Sequence, residues 1–139
     1  MRTFRLEQSD REITSHAGIA LIGAAIAKHT PLTKAIDAAL PKRHGTPTSE
    51  LVKTYLGLLA QGKNDFEAIN NVRNDAFFHQ ALDLQKPIPT EANIRLRFEK
   101  EADELSPIIN QMNVEFLVNK GVPVTPLSTG ALIIVRANT

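Results

Sequence analysis

Apolar residues recur at helical intervals along most of the chain. Leu32, Ile36 and Leu40 are four residues apart, which predicts a buried stripe on one short helix. A second stripe follows Thr90 with spacings of four, four and three, and another apolar face precedes Gly62. The stripe after Thr90 consists of Ile94, Phe98, Ala102 and Leu105, and the apolar face before Gly62 consists of Leu51, Tyr55, Leu58 and Leu59. The pattern predicts a mainly α protein, a compact bundle of about six or seven helices.

Helix boundaries are marked by threonine, proline and glycine. Thr30 and Thr46 each precede a proline, and a capping hydroxyl followed by proline at the first helical position is typical of a helix start. Gly62 and Gly121 are predicted to end helices. The remaining predicted boundaries are Thr14 or Ser15 as the first cap, Asn64 as the cap of a fourth helix, a fifth helix over 76–82, Thr90 as the next cap, and Pro107 as the start of a last helix over 108–119.

The predicted first helix, residues 18–26, is apolar on nearly every side. Gly18, Gly23 and the alanines in it would allow neighbouring backbones to come close. We therefore expect this helix to lie at the centre of the bundle.

The end of the chain differs from the helical body. Residues 87–89 (Pro-Ile-Pro) predict a stiff connector, residues 122–130 predict a linker, and residues 131–136 (ALIIVR) predict a strand. A continuous apolar run is typical of a strand buried on both faces, which normally has several neighbours. Residues 4–7 offer one candidate partner, so the two termini could form a small two-stranded β element. The predicted division is a helical front domain over 1–121, a linker over 122–130 and a strand over 131–139 that would begin a further α/β domain.

Length and composition are those of one folded domain. The chain has 139 residues, of which 42% are apolar, and it has no cysteine, which excludes disulfides and thiolate chemistry. The longest apolar stretch, 17–27, is shorter than the roughly 20 residues that a membrane-spanning helix needs. We expect no membrane association and a cytoplasmic location.

Charge is unevenly distributed, although the net charge is only +1. Residues 28–63 contain six basic and two acidic residues, a net charge of +4, whereas the chain from 64 onward has seven basic and ten acidic residues, a net charge of −3. The front segment is therefore a candidate for a surface that faces a polyanion, and ordinary solvated helix faces are the alternative.

The basic turn, defined as residues 42–45 (Lys-Arg-His-Gly), is the first candidate for such contacts. Together with Lys53 and Lys63, its residues Lys42 and Arg43 are predicted to bind DNA phosphates. Contacts of this kind carry no sequence information.

The helix that starts at Thr90 is the second candidate, because it follows a short helix and a rigid connector as in a helix-turn-helix unit. Asn93, Arg97 and Lys100 share one arc of this helix. Asn and Arg side chains can bind base edges and Lys can pair with phosphates, so Asn93 and Arg97 are predicted base contacts and Lys100 a phosphate contact. A plain solvated helix is the alternative, since acidic residues surround the arc: Glu91, Glu99, Glu101, Asp103 and Glu104.

Other site chemistry has little support in the sequence. The four histidines lack metal-ligand spacing, and Gly18 and Gly23 lack the Lys and Ser/Thr that complete a phosphate-binding loop. The acidic run over 99–104 alternates with basic residues, as on a solvent-exposed helix. We therefore predict no catalytic residue, no metal site and no cofactor.

Three blocks in order resemble the amino-terminal region of bacterial insertion-sequence transposases of the DDE type. They are residues 15–23 (SHAGIALIG), residues 58–69 (LLAQGKNDFEAI) with 73–75 (RND), and residues 88–98 (IPTEANIRLRF), and the resemblance extends over about residues 13–127. In that family an RNase H-like domain follows, whose three carboxylates hold two divalent metals for strand cleavage and joining. The front region binds the ends of the element or assembles the complex.

One departure from the family bears on catalysis. Family members carry an aspartate on an early strand after the front region, whereas residues 132–136 (LIIVR) contain none. Because two-metal chemistry needs carboxylates, we expect this chain to be noncatalytic, with the strand over 131–139 beginning an absent or truncated RNase H-like domain. The resemblance implies a domain that binds double-stranded DNA at the element's ends. The alternative is a dimerisation module for transposase protomers, with the open strand edge as a pairing site.

Overall fold

Six α-helices and one 3-10 helix form most of the part of the chain that a computed structural model describes, which is residues 16–121 and the strands at 124–126 and 132–134. The mainly α fold is confirmed. In order, the elements are α1 (Ile19–His29), α2 (Leu32–Ala39), α3 (Thr48–Ala60), the 3-10 helix (Phe66–Ala68), α4 (Ile69–Val72), α5 (Ala76–Ala81), α6 (Glu91–Asn119), β1 (Val124–Pro126) and β2 (Leu132–Ile134).

The two strands pair with each other. β1 and β2 are antiparallel, with Val124 opposite Ile134. β2 coincides with the predicted terminal strand, but β1 lies within the segment that was predicted to be a linker. Strands that are close in sequence commonly pair, because little chain has to be ordered between them. The other predicted strand, residues 4–7, lies outside the described residues.

The central helix is α3. Every residue from Thr48 to Thr54 is buried, as are Gly57 and Leu58. The predicted central position of α1 is wrong: within α1 only Ile19 is buried, and Leu21 is 74% exposed.

Gly23 explains the position of α1. A Cβ at this residue would lie 1.8 Å from the carbonyl oxygen of Ala81 on α5, so the helices approach closely on this one side. The apolar surface on the other sides of α1 is only partly covered. Although α1 is apolar on nearly every side, it is therefore buried on only one side.

Two clusters of buried side chains flank α3. The first joins α3 to the segments from α4 to the start of α6, and the second joins α2, α3 and the middle of α6. Phe98 packs against both clusters. The predicted stripes are largely confirmed, but Leu59 and Ala102 are exposed. The main buried residues are Leu51, Leu58, Ile69, Phe78, Leu82 and Ile94 in the first cluster, and Leu32, Ile36, Val52, Leu105 and Met112 in the second.

Several predicted caps are confirmed. Thr90 accepts a hydrogen bond from the Asn93 backbone N–H at 3.4 Å. The Thr30 hydroxyl accepts one from the Leu32 N–H at the same distance, but α2 begins at Leu32, so Pro31 precedes the helix instead of being its first residue. Gly62 and Gly121 follow the ends of α3 and α6 with φ of 75° and 69°. These angles lie in the left-handed region that favours glycine.

Three other cap predictions have different outcomes. Asp65, not Asn64, caps the 3-10 helix by accepting from the Ala68 N–H at 2.8 Å. Thr46 does not cap α3, because its hydroxyl donates to the carbonyl oxygen of Pro87 at 2.9 Å. Thr14 and Ser15 lie outside the described residues.

Pro107 does not start a helix, contrary to the prediction. It lies inside α6, which continues without a break from Glu91 to Asn119. Proline removes only one backbone donor, and its position is exposed. Leu105 and Met112 are buried on either side of it, so packing against α2 and α3 holds both halves of the helix in line.

Candidate nucleic-acid interface

The seven predicted DNA contacts differ in how accessible they are. Lys42, Arg43, Asn93 and Lys100 are exposed, and Lys63 is half-buried just after α3. Arg97 and Lys53 are instead engaged in internal contacts. The exposed residues lie on the basic turn and on the first half of α6, and those two surfaces form the candidate interface.

Arg97 makes several internal contacts. Its side chain is 12% exposed. The guanidinium donates hydrogen bonds to the Thr46 carbonyl oxygen at 2.6 Å and to the Thr48 hydroxyl, and it lies 3.4 Å from the Glu101 carboxylate. These contacts engage all three nitrogens of the guanidinium, so a base would have to compete with them, and the role of Arg97 in base readout stays a prediction. The residue fastens the start of α3 to α6.

Lys53 also makes an internal contact, and its phosphate contact stays a prediction. Lys53 is 6% exposed, and its Nζ donates to the carbonyl oxygen of Asp83 at 2.7 Å. One turn earlier on α3, Glu50 accepts backbone N–H groups of Gln85 and Lys86 at 3.2 and 3.0 Å. These two charged side chains hold the loop over 82–90 against α3. From the sequence, a charged side chain beside the apolar face of a helix is expected to point to solvent. In this structure Lys53 and Glu50 instead bind backbone groups of the loop.

The basic turn projects from the bundle. Residues 42–45 are all exposed, and Gly45 has φ of 82°, which lets the chain reverse before α3. The Nζ of Lys42 lies 3.9 Å from the Glu101 carboxylate, while its side chain remains 39% exposed. Glu101 thus contacts both Arg97 and Lys42, so its charge is compensated within the protein. The exposed cations of the turn keep their charge available to solvent.

The turn is anchored at its end by two hydrogen bonds of Thr46. Arg97 binds the Thr46 carbonyl oxygen, and the Thr46 hydroxyl binds the Pro87 carbonyl oxygen. Residues at the end of the turn are therefore fixed to α6 and to the Pro87–Pro89 connector. A fixed loop loses less conformational entropy when it binds a ligand than a free one does.

The connection between α5 and α6 covers residues 82–90, and its residues 87–90 belong to no helix or strand. It is longer than the turn of about three to four residues in a compact helix-turn-helix unit. Ile88 is buried, and Arg73 Nε donates to its carbonyl oxygen at 3.1 Å. The order of elements is that of a helix-turn-helix unit, with a longer and internally bonded connection.

The first half of α6 offers both signs of charge to solvent. Asn93 and Lys100 are exposed as predicted, and so are Glu99, Asp103 and Glu104. Further round the helix, Arg95 pairs with Glu67 at 3.3 Å and lies over the ring of Phe66, 5.4 Å from its centroid. Net attraction of phosphates is therefore strongest near the turn, and it falls along α6 as carboxylates accumulate.

Two basic residues near the turn were missed by the sequence reasoning. Arg73 and Lys86 line a cleft with Gly45, Thr46 and residues 87–89. Arg73 belongs to the RND block of the family resemblance, and Lys86 directly precedes the predicted connector. Neither position carried a local signal, because residues that are distant in sequence form the cleft.

A second surface feature is apolar. α1, α3 and the second half of α6 border a groove of about 480 Å³, which we call the apolar groove. Ile22 and Ile26 form one wall, Met112 and Phe116 form the other, and Leu56 lies between them. Val118 and Ile109 on α6 are exposed.

Two kinds of site are absent from the part of the chain that the structure describes. There is no cluster of three or more His, Asp or Glu side chains arranged to hold a metal ion. None of the described helices has the length and apolar character needed to span a membrane.

Comparisons with known proteins return no match, whether the chain is tested against protein-family models, curated proteins or solved structures.

Proposed function

We propose that this chain binds double-stranded DNA as the noncatalytic front domain of an insertion-sequence transposase, and that it contacts the ends of the element. The basic turn is the observation that carries the proposal. Lys42 and Arg43 are exposed on a loop that Arg97 and the Pro87 carbonyl hold in place through Thr46. A pair of exposed cations next to a residue that is held in place is suited to neighbouring phosphates on a DNA backbone.

Contacts are divided between the turn and α6 in this proposal. Lys42, Arg43 and Lys100 bind phosphates and fix the position of the domain on the duplex. Asn93 is the base contact, since an Asn side chain can form two hydrogen bonds with the edge of adenine. Arg97 acts indirectly, because it positions the turn through Thr46.

The family resemblance supports the choice of DNA among polyanions. It spans both the start of α6 and the loop that anchors the turn, and DNA binding at the element ends is one of the two roles of the family's front region, besides assembly of the complex. No catalytic step is assigned to this chain, because residues 132–136 contain no aspartate that could serve the family's metal site.

Fluorescence anisotropy with labelled duplexes, measured between about 50 and 200 mM salt, tests the proposal. One duplex carries the end of an insertion sequence that encodes the chain, and the other has unrelated sequence. The double variant Lys42→Ala/Arg43→Ala should weaken binding to both duplexes and reduce the slope of log affinity against log salt by about 1.8, at about 0.9 per phosphate. The matched control is Lys28→Ala/Lys34→Ala, two exposed lysines on α1 and α2.

Asn93→Ala completes this test. It should reduce the preference for the element end and leave the salt slope unchanged, because the residue contacts a base and not a phosphate. Absence of binding at low salt, or equal losses from the control and turn variants, would contradict the proposal.

A second candidate function is assembly of two protomers, and the apolar groove favours it. None of the apolar residues Val114, Phe116, Leu117 and Val118 at the end of α6 is buried. A second copy with its α6 antiparallel to the first would cover these side chains and the groove.

Light scattering after size-exclusion chromatography tests this second function. Ile109→Asp should convert a dimer to a monomer, whereas Leu96→Asp, on an exposed part of α6 away from the groove, should leave the dimer intact. A wild-type chain that is monomeric at every concentration would contradict dimerisation.

A further inference from the structure

A cleft beside the basic turn carries an inference about a further binding site. It has a volume of about 420 Å³ and lies between Gly45 and Thr46 on one side and the Pro87–Pro89 connector on the other, with Arg73 and Lys86 among its lining residues. No acidic residue lines it. The cleft therefore combines two cations with exposed backbone in a concave surface, which is an arrangement suited to an anion.

The guanidinium of Arg73 has N–H donors that bind none of the described residues. Its Nε–H donates to the Ile88 carbonyl oxygen at 3.1 Å, which fixes the plane of the guanidinium. The two terminal nitrogens form no hydrogen bond with any residue that the structure describes, and the residue is half-buried. Since a guanidinium has five N–H donors, four remain for a ligand. Their fork geometry matches two oxygens of one phosphate.

Lys86 is fixed at its backbone and free at its side chain. Its N–H donates to Glu50 Oε2 at 3.0 Å, and the same carboxylate oxygen accepts from Gln85. Lys53 holds the same loop through the Asp83 carbonyl oxygen. The exposed ammonium of Lys86 forms no contact with the described residues, so it can swing over the cleft.

Gly45 leaves the opposite side of the cleft open. A Cβ built at this glycine has no atom within 4 Å. Glu50 contacts the backbone of Lys86, but its Oε2 is already bound by two N–H donors, and Glu101 is paired with Arg97. The local charge facing the cleft is therefore positive.

We infer that this cleft binds a phosphate group, held by the two terminal nitrogens of Arg73 and by the ammonium of Lys86. Taken with the proposed function, on which this assignment of the source rests, the group is a DNA backbone phosphate next to those bound by Lys42 and Arg43. A DNA strand would then run from the turn across the mouth of the cleft. Inorganic phosphate has the same chemistry and serves as the second probe.

Nuclear magnetic resonance and anisotropy together test the inference. In the wild-type chain, titration with inorganic phosphate and with the duplex should each shift the Nε–Hε signal of Arg73 and the amide signals of Gly45 and Lys86. Lys86→Ala should reduce the salt slope of duplex binding by about 0.9, while Lys34→Ala should not change it. Arg73→Lys keeps the charge but loses the forked guanidinium, so it should lower the affinity for inorganic phosphate and for the duplex several-fold. Its amide spectrum away from the cleft verifies that it is folded.

The outcomes separate the two proposals. Suppose that duplex binding depends on Lys42 and Arg43, that Lys86→Ala leaves the salt slope unchanged, and that neither titration shifts the signals of the cleft residues. The inference is then overturned and the DNA-binding function stands. If inorganic phosphate shifts the Arg73 signal but the duplex does not bind, the phosphate site is supported and its assignment to DNA is overturned.

Discussion

The guanidinium of Arg97 on α6 donates a hydrogen bond to the backbone carbonyl oxygen of Thr46, 2.6 Å away, although the two residues are 51 positions apart in the chain. This contact joins the last helix of the bundle to the residue that follows the basic turn. Glu101 faces the same guanidinium and also approaches Lys42. The orientation of the turn is thus set by α6, the same helix that carries Asn93 and Lys100.

Replacing Arg97 by Met should destabilise the fold substantially. The substitution keeps an apolar stem but removes the guanidinium beside Glu101, which is 13% exposed and keeps only the Thr48 hydroxyl at 2.8 Å and the Lys42 Nζ at 3.9 Å, and it leaves the Thr46 carbonyl unbound. We expect a loss of about 3 kcal/mol in the free energy of unfolding, because one member of a largely buried pair is removed. Urea unfolding followed by circular dichroism measures it.

Arg95→Met is the matched control for that change. Arg95 pairs with Glu67 on the surface, where both side chains are about half exposed or more, and we expect a loss of no more than about 1 kcal/mol. Equal losses in the two variants would show that the Arg97 contacts contribute no more than a surface pair.

The prediction of the fold from the sequence succeeded where the signal is local. Thr90, Gly62 and Gly121 act through backbone groups a few residues away, so their roles as helix boundaries are visible in the sequence. Pro107 was misread because its local effect is overridden by packing on both sides of it. The predicted position of α1 was wrong because hydrophobicity shows only that a helix can be buried. It does not show which helix the others surround, and in this fold that helix is α3.

The candidate site was predictable to a similar extent. Lys42 and Arg43 were identified because they are adjacent and lie in a turn. The internal contacts of Arg97 and Lys53 were not predicted, since a guanidinium or ammonium that can bind DNA can equally bind an internal carbonyl oxygen, and the sequence does not show which partner lies nearby. Arg73 was missed for the opposite reason: its importance comes from a cleft that no single segment forms.

Gly23→Ala should destabilise the protein even though alanine is the better helix former. The new Cβ would lie 1.8 Å from the Ala81 carbonyl oxygen, which is backbone and cannot rotate away, so α1 and α5 must separate. Alanine gains about 1 kcal/mol over glycine in a helix interior, and overpacking costs about 1 to 3 kcal/mol or more. A net loss of stability in thermal or urea unfolding is expected.

Gly18→Ala is the internal control for this steric argument. A Cβ there has no atom within 4 Å, and the backbone is already helical with φ of −60°. This variant should be as stable as the wild type or slightly more stable. If Gly23→Ala were also stabilising, the close approach of α1 to α5 would be refuted.

Pro107→Ala should stabilise α6. The proline lies inside a continuous helix at an exposed position, where it removes one hydrogen bond and crowds the preceding turn. Alanine restores the donor, and we expect a gain of about 1 to 3 kcal/mol in the free energy of unfolding. Ser106→Ala, at the adjacent exposed position, should change it by much less. A loss of stability in Pro107→Ala would indicate that the helix depends on a bend at this residue.

Glu50→Gln should loosen the loop that follows α5. The neutral amide keeps an oxygen that can accept from Gln85 and Lys86, but a charge-assisted acceptor becomes a neutral one. We expect a loss of about 1 kcal/mol in stability, together with faster hydrogen exchange at those two amides. Exchange rates of α6 amides serve as the reference. Unchanged protection at residues 85 and 86 would show that the carboxylate does not hold the loop.

Lys53→Met distinguishes a structural lysine from a DNA contact. The thioether side chain retains the buried stem and removes only the ammonium that donates to Asp83, so we expect a loss of about 1 kcal/mol in the free energy of unfolding. The salt slope of duplex binding should stay at the wild-type value, because the buried ammonium of Lys53 does not reach a phosphate. Lys42→Met, which removes an exposed ammonium from the basic turn, should give the reverse result: little change in stability and a slope reduced by about 0.9. A reduced slope in Lys53→Met would mean that the loop over 82–90 moves away on binding and releases this lysine to the DNA.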